Sequence, residues 1–166
     1  MAELTPIEKL QPCLLDRLTD DDPTKQEESR NQRVVSPQRY RRGVLRDLEW
    51  LFNASAYLPL AGLEEFSLQD YPEAARSVIN FGTRQLTGLI APDLDALREQ
   101  LAEAIQFFEP RIIPRSMTIN SNLERNVVSF EIQGDLWANP VPEHLLINTK
   151  VDLETGQCLL GDATNG

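Results

Sequence analysis

Glu109 follows Phe107 and Phe108, the apolar setting in which a carboxyl can hold a proton and act as the general acid of glycoside hydrolysis. Arg111, two residues on, opposes that role, because a neighbouring guanidinium favours the ionised carboxylate. Other catalytic combinations are scarce. His144 is the single histidine, which excludes a multi-histidine metal site and the His-Glu-x-x-His helix. The eight glycines are scattered, and none forms a phosphate-cradling or dinucleotide-binding loop. Cys13 and Cys158 lie far apart and fit neither a disulfide framework nor metal-ligand spacing, so they read as reduced packing residues. No catalytic residue, metal or cofactor is expected.

Glu109, Pro110 and Arg111 read better as a joint. Pro110 lacks a backbone N–H and clashes with the preceding turn, so a helix should end near Glu109 and the chain leave extended. An acid and a guanidinium at such a corner form either a solvated ion pair that stabilises by about 0–1 kcal/mol, or a partly buried bidentate pair that fixes how two elements meet or reaches a neighbouring subunit. Spacing alone favours the solvated pair, because surface pairs outnumber buried ones.

The elements that must position this joint follow from periodicity. Leu94, Leu97, Leu101, Ile105 and Phe108 draw one apolar stripe on a helix starting near Ala91-Pro92 and running to Glu109, with Asp93 and Asp95 against its N-terminal dipole. An earlier helix starts at Ser36-Pro37, a capping residue followed by proline at the first helical position, and stops near Asn53. It buries Tyr40, Val44, Leu45, Leu48, Leu51 and Phe52, and Gly43 within it permits close packing. A further helix is expected from Tyr71-Pro72 to Gly82, burying Ala75, Val78 and Ile79, with a loop at Thr87-Gly88 and an irregular connection between Asn53 and Tyr71. After Pro114 the period changes to two. Met117 and Ile119 suggest a strand ending in a turn at Asn120-Ser121-Asn122. Val128, Phe130 and Ile132 mark a second. Leu145, Ile147, Thr149, Val151 and Leu153 mark the face of a third, and Glu154-Thr155-Gly156 turns into a short last strand around Gln157–Leu160. The fold class is α+β, N-terminal helices packed on a small C-terminal antiparallel sheet of three to four strands.

The 166 residues suffice for one domain with an extension, and 41% apolar with 25% charged residues describes a globular protein. Residues 1–33 are expected to form an arm and linker, 34–162 the domain, and 163–166 a flexible C-terminus. In the arm, Leu4, Ile7, Leu10, Leu14, Leu15 and Leu18 form an amphipathic element interrupted by Pro6 and Pro12, and a polar tether spans Thr24 to Arg33. No apolar run is long enough to span a bilayer, and the N-terminus lacks a basic segment followed by an apolar one, so a cytoplasmic protein without direct membrane insertion is expected. The formal charge of −10 argues against nucleic acid. Yet Arg30, Arg33, Arg39, Arg41, Arg42 and Arg46 fall in a stretch without an acid, directly after Asp20, Asp21, Asp22, Glu27 and Glu28. Such a block is either a solvated helix face or a docking surface for an acidic partner.

The chain resembles the TssE family of type VI secretion baseplate subunits, relatives of the small wedge proteins of contractile phage tails. The runs that carry the resemblance are Leu14-Leu15-Asp16-Arg17-Leu18, Val44-Leu45-Arg46-Asp47-Leu48-Glu49-Trp50-Leu51-Phe52-Asn53, Tyr71-Pro72-Glu73 with Arg76-Ser77-Val78-Ile79-Asn80-Phe81-Gly82, Glu109-Pro110-Arg111, and Asp152-Leu153-Glu154-Thr155-Gly156. The resemblance implies a non-catalytic baseplate component that starts polymerisation of the contractile sheath. Its implied partners are other wedge subunits, sheath subunits and tube or hub proteins, in a baseplate docked at the inner face of the cytoplasmic membrane. It also implies that Glu109, Pro110 and Arg111 belong to a charged core holding wedge components together, which reverses the preference for a solvated pair. Residues Ser55–Asp70 match the family least.

Three surfaces are then expected to meet partners. Residues 145–160 should offer an open sheet edge to the first sheath ring, with Asn148 and Lys150 as outward-bonding positions. Leu10, Leu14, Leu15 and Leu18 should bury on a neighbouring wedge subunit, and Arg39, Arg42 and Arg46 are candidates for contact with protein. If the Glu109–Arg111 pair is desolvated on assembly, loss of either partner should disable assembly before folding. Two other functions compete: a regulatory protein-binding module of the anti-adaptor type, and a lysozyme-like glycosidase.

Overall fold

Ser36 and Pro37 start the longest helix as their types dictate. Ser36 Oγ accepts a hydrogen bond from the Arg39 amide at 3.2 Å, and Pro37 occupies the first helical position, where a missing N–H is harmless. A computed structural model of the chain describes residues 13–19, 24, 35–55, 70–83, 93–138 and 142–162. The expectations for Leu4, Ile7 and Leu10, most of the tether, the connection after Asn53, Thr87-Gly88, Ala91-Pro92 and 163–166 lie outside these residues.

Among the described residues, four helices, α1 (Leu14–Leu18), α2 (Pro37–Asn53), α3 (Pro72–Ala75) and α4 (Leu94–Phe108), precede four strands, β1 (Thr118–Glu124), β2 (Val127–Leu136), β3 (Glu143–Asp152) and β4 (Cys158–Asp162). The strands pair antiparallel in the order β1-β2-β3-β4, as short connections between consecutive strands require. Alternation along the strands sends one set of side chains into the core: Val128, Phe130, Ile132 and Leu136 from β2, and Leu145, Ile147, Thr149 and Val151 from β3. Tyr40, Val44, Leu48, Leu51 and Phe52 of α2 and Leu97, Leu101, Ala104 and Ile105 of α4 complete that core. The α+β arrangement of helices followed by an antiparallel sheet is therefore the observed one.

Capping sets the helix bounds. Asp93 Oδ1 accepts from the amides of Asp95 and Ala96 at 3.0 and 3.2 Å, so α4 starts just after the expected proline, and Glu109 closes it. Asn53 ends α2 and reaches across to β4: its side-chain amide donates to the Cys158 carbonyl, and its side-chain oxygen accepts from the Cys158 N–H, both at 3.0 Å.

Two expected elements are corrected. The helix from Tyr71 to Gly82 is only the single turn of α3 followed by a 3₁₀ turn at Val78–Asn80, and Val78 and Ile79 are 83% and 60% exposed rather than buried. Ser77 diverts the chain, its hydroxyl donating to the Ala74 carbonyl at 2.8 Å. Gly82, at a φ of 128°, then turns it so that Thr83 pairs with the end of α2. The turn placed at Asn120-Ser121-Asn122 is instead strand: β1 continues to Glu124, with Asn120 opposite Glu131 and Asn122 opposite Ser129. The reversal falls at Arg125, which adopts a φ of 56°, and Asn126, a pair with no glycine to announce it.

Candidate functional site

The Glu109-Pro110-Arg111 corner is stitched to the sheet before its charges are considered. Glu109 N–H donates to the Ile105 carbonyl at 2.8 Å as the last helical bond, and Ile112 N–H turns back to the Glu109 carbonyl at 3.1 Å. The chain then runs beside the end of β2. Trp137 N–H donates to the Arg111 carbonyl at 2.7 Å, and Ile113 N–H donates to the Asp135 carbonyl at 2.9 Å. Ile112 is buried between these bonds. Gly134 opposes it because a β-carbon there would stand 3.2 Å from the Ile112 side chain. The corner is thus a rigid seam between α4 and β2.

The pair is the buried, bidentate one. Glu109 is 2% exposed, and Arg111 donates to both of its oxygens, through Nε to Oε1 at 2.5 Å and through Nη2 to Oε2. Arg111 Nη2 also donates to Asp47 Oδ2 at 2.6 Å, and the guanidinium carbon lies 6.0 Å from the centre of the Tyr40 ring. Burial opposes the charge on Arg111, but the hydrogen bonds and charges of Glu109 and Asp47 outweigh it and hold the guanidinium firmly protonated. Tyr40 is pushed above its ordinary pKa chiefly by burial, and its hydroxyl donates to the Trp137 carbonyl at 3.2 Å.

From Asp47 the charges continue outward. Asp47 Oδ1 accepts from Arg46 Nε and Nη2 at 2.9 and 2.8 Å, and Arg46 Nη1 donates to Asp16 of α1. Cys13 caps α1 and donates from Sγ to Asp16 Oδ2 at 3.1 Å, while Arg46 Nη2 donates to that sulfur at 3.3 Å. Burial pushes the Asp16 carboxyl up, but hydrogen bonds from Arg46 and Cys13 and the charge of Arg46 bring it below the ordinary carboxylate value. Arg46 is raised, first by its bond to Asp16. Gly43 makes the approach of α1 possible: a β-carbon there would stand 3.3 Å from Asp16 Oδ2 and 3.9 Å from Arg111 Nη1. Two arginines alternate with three carboxylates along Glu109–Arg111–Asp47–Arg46–Asp16, joining three stretches of chain.

This geometry decides several sequence expectations. Glu109 is buried and both of its carboxylate oxygens are engaged by Arg111, which opposes the role of a general acid. Glu109 is already buried in the folded chain, so loss of Arg111 is expected to burden folding as well as assembly. Asn148 and Lys150 lie on β3, an interior strand paired with Glu131 and Ser129 of β2 and with Gly161 and Leu159 of β4. Their side chains are exposed, but their backbones belong to the sheet, so they are not outward-bonding edge positions. The edge within residues 145–160 is β4, where Asn53 occupies the Cys158 backbone and alternation turns the Leu160 backbone outward. Leu14, Leu15 and Leu18 are all exposed, Leu14 at 70% and Leu18 at 74%. Arg39 and Arg42 are exposed on α2, whereas Arg46 is committed to the charge chain. Sequence reasoning did not assign roles to Asp47 and Asp16. The available signal for Asp47 was its place beside the apolar stripe of α2, seven residues after Tyr40, but nothing local indicates that Arg111 reaches it.

Among the described residues no group of three or more histidine, cysteine, aspartate or glutamate side chains is placed to hold a metal ion, and no helix is long and apolar enough to cross a membrane. Helices followed by an antiparallel meander, with charged side chains locking the elements to one another at the corner, define an α+β domain. The chain belongs to the family of baseplate wedge protein gp25, whose family model matches residues 38–141 and so includes α2, α4, the corner and β2. This is a family of structural baseplate proteins, and its members work alongside other baseplate components. Comparison with curated proteins and with solved structures finds no match.

Proposed function

We propose that this protein is a non-catalytic subunit of a type VI secretion baseplate, of the TssE type, which helps assemble the wedge and starts polymerisation of the contractile sheath. The observation that carries this reading is the buried Glu109–Arg111 corner, lying within the residues matched by the baseplate wedge family. A corner held on three sides by α4, β2 and α2 supplies a stiff surface against which other wedge subunits are positioned. Residues 34–162 act as the wedge domain and residues 1–33 as an arm. Leu14, Leu15 and Leu18 bury on a neighbouring wedge subunit, at an ordering cost met only when the partner is present. The β4 edge offers the Leu160 backbone to a strand of the first sheath ring. The complex works in the cytoplasm, at the inner face of the membrane, with tube or hub proteins as further partners.

The test is genetic and visual. In cells carrying a fluorescent sheath subunit, deletion of this chain should abolish sheath assembly, and the intact chain supplied in trans should restore it. Sheaths that assemble and contract at normal frequency without this chain would overturn the reading.

A further inference from the structure

Val78 is the most exposed large apolar residue among the described residues, at 83%, and its neighbour Ile79 is 60% exposed. The turn that carries them is stitched so that they stay outside. Ser77 Oγ donates to the Ala74 carbonyl at 2.8 Å, and Asn80 Nδ2 donates to the Ala75 carbonyl at 3.0 Å. The amides of Asn80 and Phe81 donate to the Ser77 and Val78 carbonyls at 3.0 and 3.2 Å. Rolling the apolar pair inward would break these bonds. The segment is also anchored on both sides of the pair. The Arg76 guanidinium carbon lies 5.1 Å from the centre of the Phe107 ring, and the Phe81 ring meets Phe108 edge-on at 5.3 Å between centroids. An apolar pair displayed on such a turn has little left to order when it is covered.

These two anchors place the Val78–Asn80 turn beside the last turn of α4. Glu99, Glu103 and Phe107 stand at i, i+4 and i+8 on that helix and share a face, and both carboxylates are exposed. Over residues 70–83 and 93–108 six acids stand against two arginines. Arg98 is paired with Asp95, and Arg76, drawn onto Phe107, stands against Glu73, Glu99 and Glu103. An exposed apolar pair beside an acidic helix ridge is complementary to a segment with one apolar and one basic side. We propose that the Val78–Ile79 turn and the outer face of α4 receive a basic amphipathic helix of a partner protein, its apolar side on Val78 and Ile79 and its cations on Glu99 and Glu103. The site lies at the same end of α4 as the Glu109 corner but uses none of its charged groups, and α4 packs on the β1 side of the sheet, away from the β4 edge. The inference goes beyond the proposed function, because it stands on this exposure and charge whatever machine contains the partner. A second copy of the chain would set two acidic ridges against each other, and the same charge repels anionic lipid and nucleic acid.

The probe is a fluorescein-labelled helical peptide with lysines at i and i+4 on one side and leucines on the adjoining side, titrated with the full chain by anisotropy. A version with glutamine for lysine serves as the comparison. Binding of the lysine peptide should exceed that of the glutamine peptide by about tenfold or more and weaken with salt. Glu99→Gln combined with Glu103→Gln should reduce it at least about fivefold. Glu131→Gln combined with Glu154→Gln removes the same charge away from α4, since Glu131 alternates with buried Phe130 and Ile132, and should leave binding unchanged. Val78→Asn with Ile79→Asn, and the milder Val78→Ala with Ile79→Ala, should each weaken binding about tenfold with an unchanged melting temperature. Equal binding of the two peptides, equal effects of the two glutamine pairs, or wild-type affinity in both variants of the turn would overturn the proposal. So would a lowered melting temperature in both variants, because the pair would then be covered by the chain itself. A chain with Arg30 and Arg33 changed to glutamine should bind the probe as wild type does, and a gain of about tenfold would instead make the chain's own tether the occupant. Sedimentation should show a monomer for wild type and Val78→Asn with Ile79→Asn alike. A dimer lost in that variant would assign the turn to a second copy, and capture by phosphatidylcholine vesicles lost in it would assign the turn to a lipid surface.

Discussion

Arg111→Ala tests the buried corner most directly. The substitution removes the guanidinium that donates to both oxygens of Glu109, leaving a residue that is 2% exposed with only the Arg111 backbone amide, 3.3 Å from Oε1. An uncompensated buried carboxylate costs about 3–5 kcal/mol. Asp47 loses one donor but keeps Arg46, so it adds little. Against a total stability of about 5–15 kcal/mol this is a large fraction, and with a urea slope of about 2 kcal/mol/M the midpoint should fall by roughly 2 M. Arg111→Lys should recover part of the loss, since an ammonium restores the charge but not the fork that spans both oxygens. Replacing both partners, Glu109→Met with Arg111→Met, should be more stable than Arg111→Ala alone, because no charge is then stranded. Urea unfolding followed by far-UV circular dichroism reads all three. A loss below about 1 kcal/mol for Arg111→Ala, the range of solvated pairs, would refute the reasoning.

Gly43→Ala sets helix propensity, worth about 1 kcal/mol in favour of alanine, against the 3.3 Å approach of Asp16. The variant should keep or raise the melting temperature of the domain while making the arm more readily cleaved by protease, and unchanged cleavage would argue against a glycine kept for docking. Docking of α1 should also respond to acid. The depressed Asp16 carboxyl contributes stability that is fully present above its ordinary value of 3.8 and is lost as pH falls through the lower folded value, so hydrogen exchange at residues 14–18 should quicken there in wild type and lack that step in Asp16→Asn. At the sheet, Leu160→Pro removes an outward N–H and should leave the monomer folded while blocking sheath growth. Proline at Asn148 or Lys150 should instead unfold the sheet, and the same probe of sheath and melting separates the two. Burial pushes the Cys158 thiol up to about 12, so at pH 8 a thiol reagent should label Cys13 and spare Cys158 in the native chain.

The elements with a strong period or a cap were legible in the chain itself. Ser36-Pro37, Asp93 and the leucine stripe of α4 set two helices within a residue or two, because capping and amphipathicity act over a single turn. The inward face of β3 was legible for the same reason, since alternation needs no partner to be read. Weak local signals misled. Val78 and Ile79 have helical spacing but face outward, and Asn120 and Asn122 look like a turn yet lie along an edge strand whose outer face accepts polar residues.

Sequence by itself determined that Glu109 and Arg111 meet at the end of a helix, since two residues across a proline break cannot be far apart. Tertiary structure decided that the pair is buried, that Asp47, 64 positions away, shares its guanidinium, and that Arg46 passes the charge on to Asp16. It also decided that β3 is interior and β4 is the edge. These are long-range outcomes. Burial and edge status depend on which distant element covers a residue, and no short-range propensity of the residue encodes its cover.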